Sequence, residues 1–276
     1  MPLPLLSRSA NVYLQCVAKH FLTQGDSMML AAFTSLEEQG QYALASNYGG
    51  LVARMVFQPI EESSRNTLGK LLTPSKERAS TPQQIAAAKS YIYDILHAYS
   101  VISVLIFAIG PTAVPVALRF VVGSRWESAE MHKVLSAYCY YVPFLAFNGV
   151  TEAFVSSAAN NSEIRQQTAW MGVFSAVFAA AVYFLLGLCR LGAVGLVWAN
   201  IMNMALRIIW CYWFMKRYFN HHRSALKIAQ ILPSIGTSIA GAVGYASMAG
   251  IRPSTESDLH NIAKVFGIAA VFGMSM

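Results

Sequence analysis

TAWMGVFSAVFAAAVYFLLGLC, residues 168–189, contains no charged side chain. A helix needs about 20 mostly apolar residues to cross the hydrocarbon of a bilayer, so this stretch predicts a membrane helix. It is small and apolar all round, as suits a helix that faces lipid or packs on a neighbour. Working outward, comparable runs lie at 94–116, 134–157, 191–214 and 228–250. A weaker one, 40–60, is interrupted by Asn47, Arg54 and Gln58. Another starts near Ile262 and is still apolar at Met276, where the sequence stops, so it is read as a truncated crossing. The expected fold class is all-α: a polytopic transmembrane helical bundle with about six complete membrane helices plus a truncated last one.

Composition agrees. Of 276 residues, 55% are hydrophobic and 12% are charged, with a mean hydropathy of +0.45. Soluble domains carry about 25% charged residues, so this chain lacks the polar surface that a soluble enzyme, a disordered protein or a nucleic-acid module requires. Lys and Arg number 20 against 13 Asp and Glu, a formal charge of +7. In a multispanning protein such an excess reads as cytoplasmic loop charge rather than a nucleic-acid footprint. If crossings alternate, Arg65, Lys70, Lys76, Arg78, Lys89, Arg165, Lys216, Arg217, Arg223 and Lys227 share one side. Arg119, Arg125, Lys133, Arg190 and Arg252 lie on the other. The first side is expected to be cytoplasmic. Asn160-Asn161-Ser162 matches a glycosylation acceptor pattern but would then face the cytoplasm unmodified. Cys16, Cys139, Cys189 and Cys211 have no metal or disulfide spacing.

The expected organisation is a partial or broken helix and loop over residues 1–39, followed by a bundle over 40–276. Residues 11–35 flank a Gln24-Gly25-Asp26 break and read equally as a broken helix or as an interfacial amphipathic segment. Residues 61–93, rich in Ser, Thr, Pro and Lys, read as a solvated cytoplasmic connector.

Polar residues inside apolar runs carry the functional signal, because a charge at bilayer depth costs at least about 2.5–3.5 kcal/mol. In 40–65, Asn47, Arg54, Gln58, Glu61 and Arg65 fall on one helical face, with Glu62 beside them. Gly49-Gly50 would permit close helix contact, and Pro59 would loosen the backbone nearby. In 134–157, Asn148, Glu152 and Ser156 recur at helical spacing, and Pro143 predicts a bend. In 191–214, Asn200, Asn203 and Arg207 do the same, with Glu152 the obvious counter-charge for Arg207. These stripes read either as the lining of an aqueous cavity or as structural pairs and solvated helix ends. Asp-x-Asp pairs, a phosphate-binding loop, supported catalytic triads and metal-ligand spacings are all absent from the sequence. No enzyme, cofactor or metal is therefore expected. Cavity stripes, prolines and small-residue contacts suit a transporter for a polar, anionic headgroup, since arginine grips phosphate and amides suit sugars.

Three stretches carry a family resemblance. GQYALASNYGGLVARMVFQPIEESSR (40–65), AFNGVTEAF (146–154) and LVWANIMNMALRI (196–208) resemble, in order, the hallmark segments of the Rft family of oligosaccharidyl-lipid flippases. The chain is similar to roughly the C-terminal half of a full member, so an N-terminal half is expected to be missing. The resemblance implies the multidrug/oligosaccharidyl-lipid/polysaccharide exporter architecture and alternating access. It also implies an endoplasmic reticulum membrane location and a dolichol-diphosphate-linked mannose–N-acetylglucosamine oligosaccharide as substrate. That lipid would move from the cytosolic to the luminal leaflet for protein N-glycosylation, with membrane lipids the other partner and no nucleic acid. It marks Arg54, Gln58, Glu61, Glu62, Arg65, Asn148, Glu152, Asn203 and Arg207 as cavity residues. The alternative is a non-transporting membrane scaffold of the same pathway.

Overall fold

A computed structural model describes residues 31–72, 81–122 and 128–249. The proposed Gln24-Gly25-Asp26 break and the apolar run from Ile262 lie outside them. The described chain is helical. Helix α1 (Leu36–Val52) passes through a π-helical turn (Ala53–Phe57) into α2 (Gln58–Leu72). Then come α3 (Pro82–Val122), α4 (Ala129–Ala158), α5 (Asn161–Val182, continued by a π-helical Tyr183–Leu188), α6 (Gly192–His221) and α7 (Ile235–Ala249).

Helix starts are set by local capping. Ser35 with Glu38 and Asn160 with Glu163 form capping boxes at α1 and α5. Thr81 and Gln84 exchange the same reciprocal bonds at α3, where Pro82 takes the first helical position. Asn160, the nominal glycan acceptor, thus spends its side-chain oxygen on Ser162 and Glu163. At α3 and α5 such caps start the helices before their apolar cores, and α6 runs past its core at the C-terminal end without a side-chain cap at its start. The expected 94–116, 168–189 and 191–214 become Pro82–Val122, Asn161–Leu188 and Gly192–His221. At 228–250 the opposite holds: Pro233 delays the helix, and the Ser234 hydroxyl accepts from the Thr237 amide one residue before Ile235 begins α7. The connector expected over 61–93 is helical at both ends, through Leu72 and again from Pro82. Within it, residues 61–72 and 82–93 are helical.

Three described helices are long and apolar enough to cross a membrane: Pro82–Val114, Asn161–Leu188 and Gly192–His221. Only 17% of the apolar window of α5 is buried among the described residues, so most of that helix faces outward from them. Helix α4 is the hub and packs against α1, α2, α3 and α6. Its Val150, Phe154 and Val155 are fully buried, as are Leu68 of α2, Ile92 of α3 and Met215 of α6. Pro143 lies inside α4, which runs on unbroken as a helix. In α3, Pro115 cannot donate to the Pro111 carbonyl four residues back. The Ser136 hydroxyl of α4 donates to that carbonyl instead, at 2.8 Å. A proline defect in one helix is thereby mended by the next.

Gly49 supplies the close contact expected of it. A β-carbon there would lie 2.1 Å from Cε1 of Tyr138 in α4, so only glycine lets α1 approach so near. Gly69 of α2 has nothing within 4 Å of the same construction. Gly49→Ala is expected to lower the thermal unfolding midpoint of detergent-solubilised protein, by overpacking worth about 1–3 kcal/mol. Gly69→Ala should raise it slightly, since alanine is favoured over glycine in a helix interior by about 0.5–1 kcal/mol.

Candidate functional site

Helices α2, α4 and α6 bring Glu61, Arg65, Asn148, Glu152, Asn203 and Arg207 together along the C-terminal half of α4. On α2, Arg65 Nη2 donates to Glu61 Oε1 at 2.8 Å, one turn apart. Gly149 makes room for that carboxylate on α4: a β-carbon there would stand 2.6 Å from Glu61 Oε2. Three residues on, Glu152 turns toward α6, where Arg207 Nη1 lies 3.7 Å from Glu152 Oε1. Asn148 offers its amide to Glu152 from one turn back, and Glu61 and Arg65 are close enough for Glu152 to feel both charges. Two glutamates therefore lie side by side between two arginines across three helices, with no net charge. Exposure falls inward, from 54% for the Arg65 side chain to 26% for Arg207.

The pairing of Arg207 with Glu152 is longer than a hydrogen bond. Arg207 Nε is buried and makes none among the described residues, and the same holds for Asn148 Oδ1, Asn203 Oδ1, Tyr99 Oη and Trp210 Nε1. Each buried polar atom left without a partner costs about 1–3 kcal/mol. Asn203, Arg207 and Trp210 are spaced by four and three residues, which puts all three on one face of α6. Tyr99 reaches the cluster from α3. Its ring packs edge-on against Phe57 and Phe147, and its hydroxyl lies near Glu61. Tyr99 and Trp210 escape a search for charges in apolar runs. The signal for Trp210 was its helical spacing from Arg207; Tyr99 offers none, since only packing brings α3 here. Asn200 is placed elsewhere: it is buried and donates to the Tyr42 hydroxyl at 3.2 Å, tying α6 to α1.

The remaining predicted residues stand apart. Arg54 is exposed in the π-helical turn, among exposed Leu51, Met55 and Val56. Gln58 and Glu62 are exposed and bonded to each other at 3.1 Å. The single face expected for Asn47, Arg54, Gln58, Glu61 and Arg65 is therefore divided. Pro59 lacks an amide proton and crowds the carbonyl of Met55, and the chain widens into a π turn just ahead of it. The extra residue turns α2 by about 100° relative to an unbroken helix. Glu61 swings toward α4 with Arg65 paired to it, while Asn47 and Arg54, upstream of the turn, stay outside; Gln58 lies beyond the turn but points to Glu62 instead.

The family model described as Rft protein matches residues 3–276. The chain is 35% identical over 214 residues to the Man(5)GlcNAc(2)-PP-dolichol translocation protein RFT1 of Saccharomyces cerevisiae, covering 78% of this chain and 36% of that protein. Against the protein of the same description from Schizosaccharomyces pombe it is 37% identical over 219 residues, covering 79% and 40%. Against that from Mus musculus it is 30% identical over 238 residues, covering 84% and 44%. The chain thus spans less than half the length of these curated relatives. No solved structure matches it.

The four-charge arrangement makes a measurable demand. Arg207→Ala leaves Glu152 facing α6 without its counter-charge and should lower stability in detergent by about 1–3 kcal/mol. Glu152→Gln in the same background should recover part of that loss. A double-mutant cycle is expected to return a coupling of about 1 kcal/mol, the lower part of the usual range for contacting residues because both side chains keep some exposure.

Proposed function

The chain belongs to the Rft family, and from this we propose that it forms the part of a multi-pass flippase that handles a lipid-linked headgroup. The substrate is a dolichol-diphosphate-linked mannose–N-acetylglucosamine oligosaccharide. It moves from the cytosolic to the luminal leaflet of the endoplasmic reticulum membrane for protein N-glycosylation. The observation that carries this reading is the set of buried, unpartnered polar atoms on Tyr99, Asn148, Asn203 and Arg207 around a net-neutral charge cluster.

Such a cluster suits a guest rich in hydroxyl groups and negative charge. Arg207 is held by Glu152 at 3.7 Å, without a hydrogen bond, so its donors are free for a diphosphate that competes for it. The amide oxygens of Asn148 and Asn203 accept from sugar hydroxyls. Exchange of Arg207 between Glu152 and diphosphate gives the bundle two arrangements of similar energy, which is what alternating access requires. Arg54, Gln58 and Glu62 face outward from α1 and α2, and in this proposal they line the opposite wall of the passage together with helices of the full-length protein. Residues 40–276 then act as one C-terminal bundle, and the end carrying Arg65, Lys70 and Arg217 faces the cytosol.

A second reading has a specific observation in its favour. Both arginines of the cluster already face glutamates, so the stripe could be dry and structural, in a scaffold that transports nothing. In the full-length protein, Arg207→Ala is expected to reduce delivery of the lipid-linked glycan to the luminal leaflet by about tenfold at unchanged protein amount. Reconstituted vesicles assayed for leaflet transfer provide the measurement. Undiminished transfer would reject the role of Arg207. Cysteines placed at 54, 58 and 207 should react with a water-soluble thiol reagent; protection of all three favours the scaffold.

A further inference from the structure

A second polar site lies further along α4 and α6, where α4 stops, α5 begins and α6 finishes. A cavity of about 350 Å³ opens there, within the size range of small-ligand pockets. Asn160 and Glu163 line one side; Arg217, His221 and His222 line the other, with Tyr218 and Phe214 supplying aromatic surface.

The polar inventory of this cavity is asymmetric. Asn160 and Glu163 are consumed by their own cap: the Asn160 side chain accepts from Ser162 and Glu163, and Glu163 Oε2 accepts from the Asn160 amide at 3.0 Å. The Glu163 charge is also stabilised by the helix N-terminus beside it. Opposite, Arg217 lies over the ring of Trp213 at 5.7 Å and has no carboxylate within ion-pairing distance among the described residues. His222 donates from Nδ1 to the Tyr218 carbonyl at 2.8 Å, which leaves Nε2 free, and its ring lies tilted with its centroid 4.5 Å from that of Tyr218. The wall is fixed from behind. Arg223 takes a left-handed backbone with φ of 55°, the returning chain donates from the Lys227 amide to Tyr93, and Lys89 Nζ donates to the Ala225 carbonyl at 2.7 Å.

Depth identifies the ligand class. Trp213 is 48% exposed one turn inward from Arg217, as expected of an aromatic residue at the headgroup boundary. Lys216, Arg223 and Lys227 add positive charge at the same end. Basic pockets between membrane helices on the cytoplasmic side bind anionic lipid headgroups. We propose that this cavity binds the phosphate of an anionic phospholipid from the surrounding leaflet, with Arg217 on the phosphate, His221 and His222 beside it and the aromatic surface against the glycerol. Arg217 is ten residues beyond Arg207, about 15 Å along α6. The site is therefore distinct from the transport cluster, and it rests on the reading above only for the cytoplasmic placing of this end.

The test uses the full-length protein in detergent, with retained lipid read by native mass spectrometry. Phosphatidylinositol is expected to be retained about tenfold better than phosphatidylcholine, and Arg217→Ala should abolish that preference. Lys70→Ala, which removes an exposed charge from the same end but outside the cavity, should leave it intact. Arg217→Gln keeps most of the stem; if Arg217→Ala loses helicity, Arg217→Gln must abolish the preference in folded protein. Equal retention of both lipids overturns the proposal. So does an equal loss in Lys70→Ala, which would mean diffuse attraction. Displacement of the lipid by millimolar inorganic phosphate would make the site one for a free anion and overturn it as well.

Discussion

A charge lodged among membrane helices must find a partner, and the interior of this protein is arranged around that demand. Arg207 sits in a helix whose neighbouring residues are Leu206, Ile208 and Ile209. Its answer is Glu152 on the next helix. Glu152 in turn sits beside a second acid, Glu61, which is bound by Arg65. Withdrawing Glu152 or Arg207 leaves the other partly buried without its counter-charge. The chain of charges therefore fixes how α2, α4 and α6 face one another, more narrowly than nondirectional packing would.

Helix α4 makes the arrangement possible because it offers different chemistry on successive faces. Gly149 is bare, so a carboxylate can lie on the backbone. Asn148 and Glu152, a turn apart, look toward α6. Val150 and Phe154 fill the apolar core between. The same helix accepts α1 through Tyr138 and Gly49, and repairs α3 through Ser136 and Pro111. Lipid has no need to drive these contacts; close approach and internal hydrogen bonding do so.

Much of this was legible before any coordinates. Apolar run length marks each long helix, and residue type picks out Glu152 and Arg207 as partners, because two lone charges in lipid have few other solutions. Gly49 was legible as a contact for the same reason of economy. Three kinds of feature were not. Helix ends overran their apolar cores because capping residues such as Thr81 and Asn160, not hydropathy, decide where a helix begins. The polar face of 40–65 was drawn on an ideal helix, and one additional residue in a π turn divided it. Tyr99 belongs to the site only through tertiary packing, and no local pattern in α3 announces it.

The wide turn at Ala53–Phe57 has one more implication. Side chains there could be exchanged with little harm to where Glu61 points, since four of the five are only partly buried or exposed. Removing a single residue would be another matter. It would close the turn to ordinary pitch and rotate everything downstream by about 100°, taking Glu61 off the bare patch at Gly149 and Arg65 away with it. The heading of α2 is thus encoded as a tally along the backbone, and a one-codon deletion in this segment would be far more damaging to it than a substitution at the exposed Met55 or Val56.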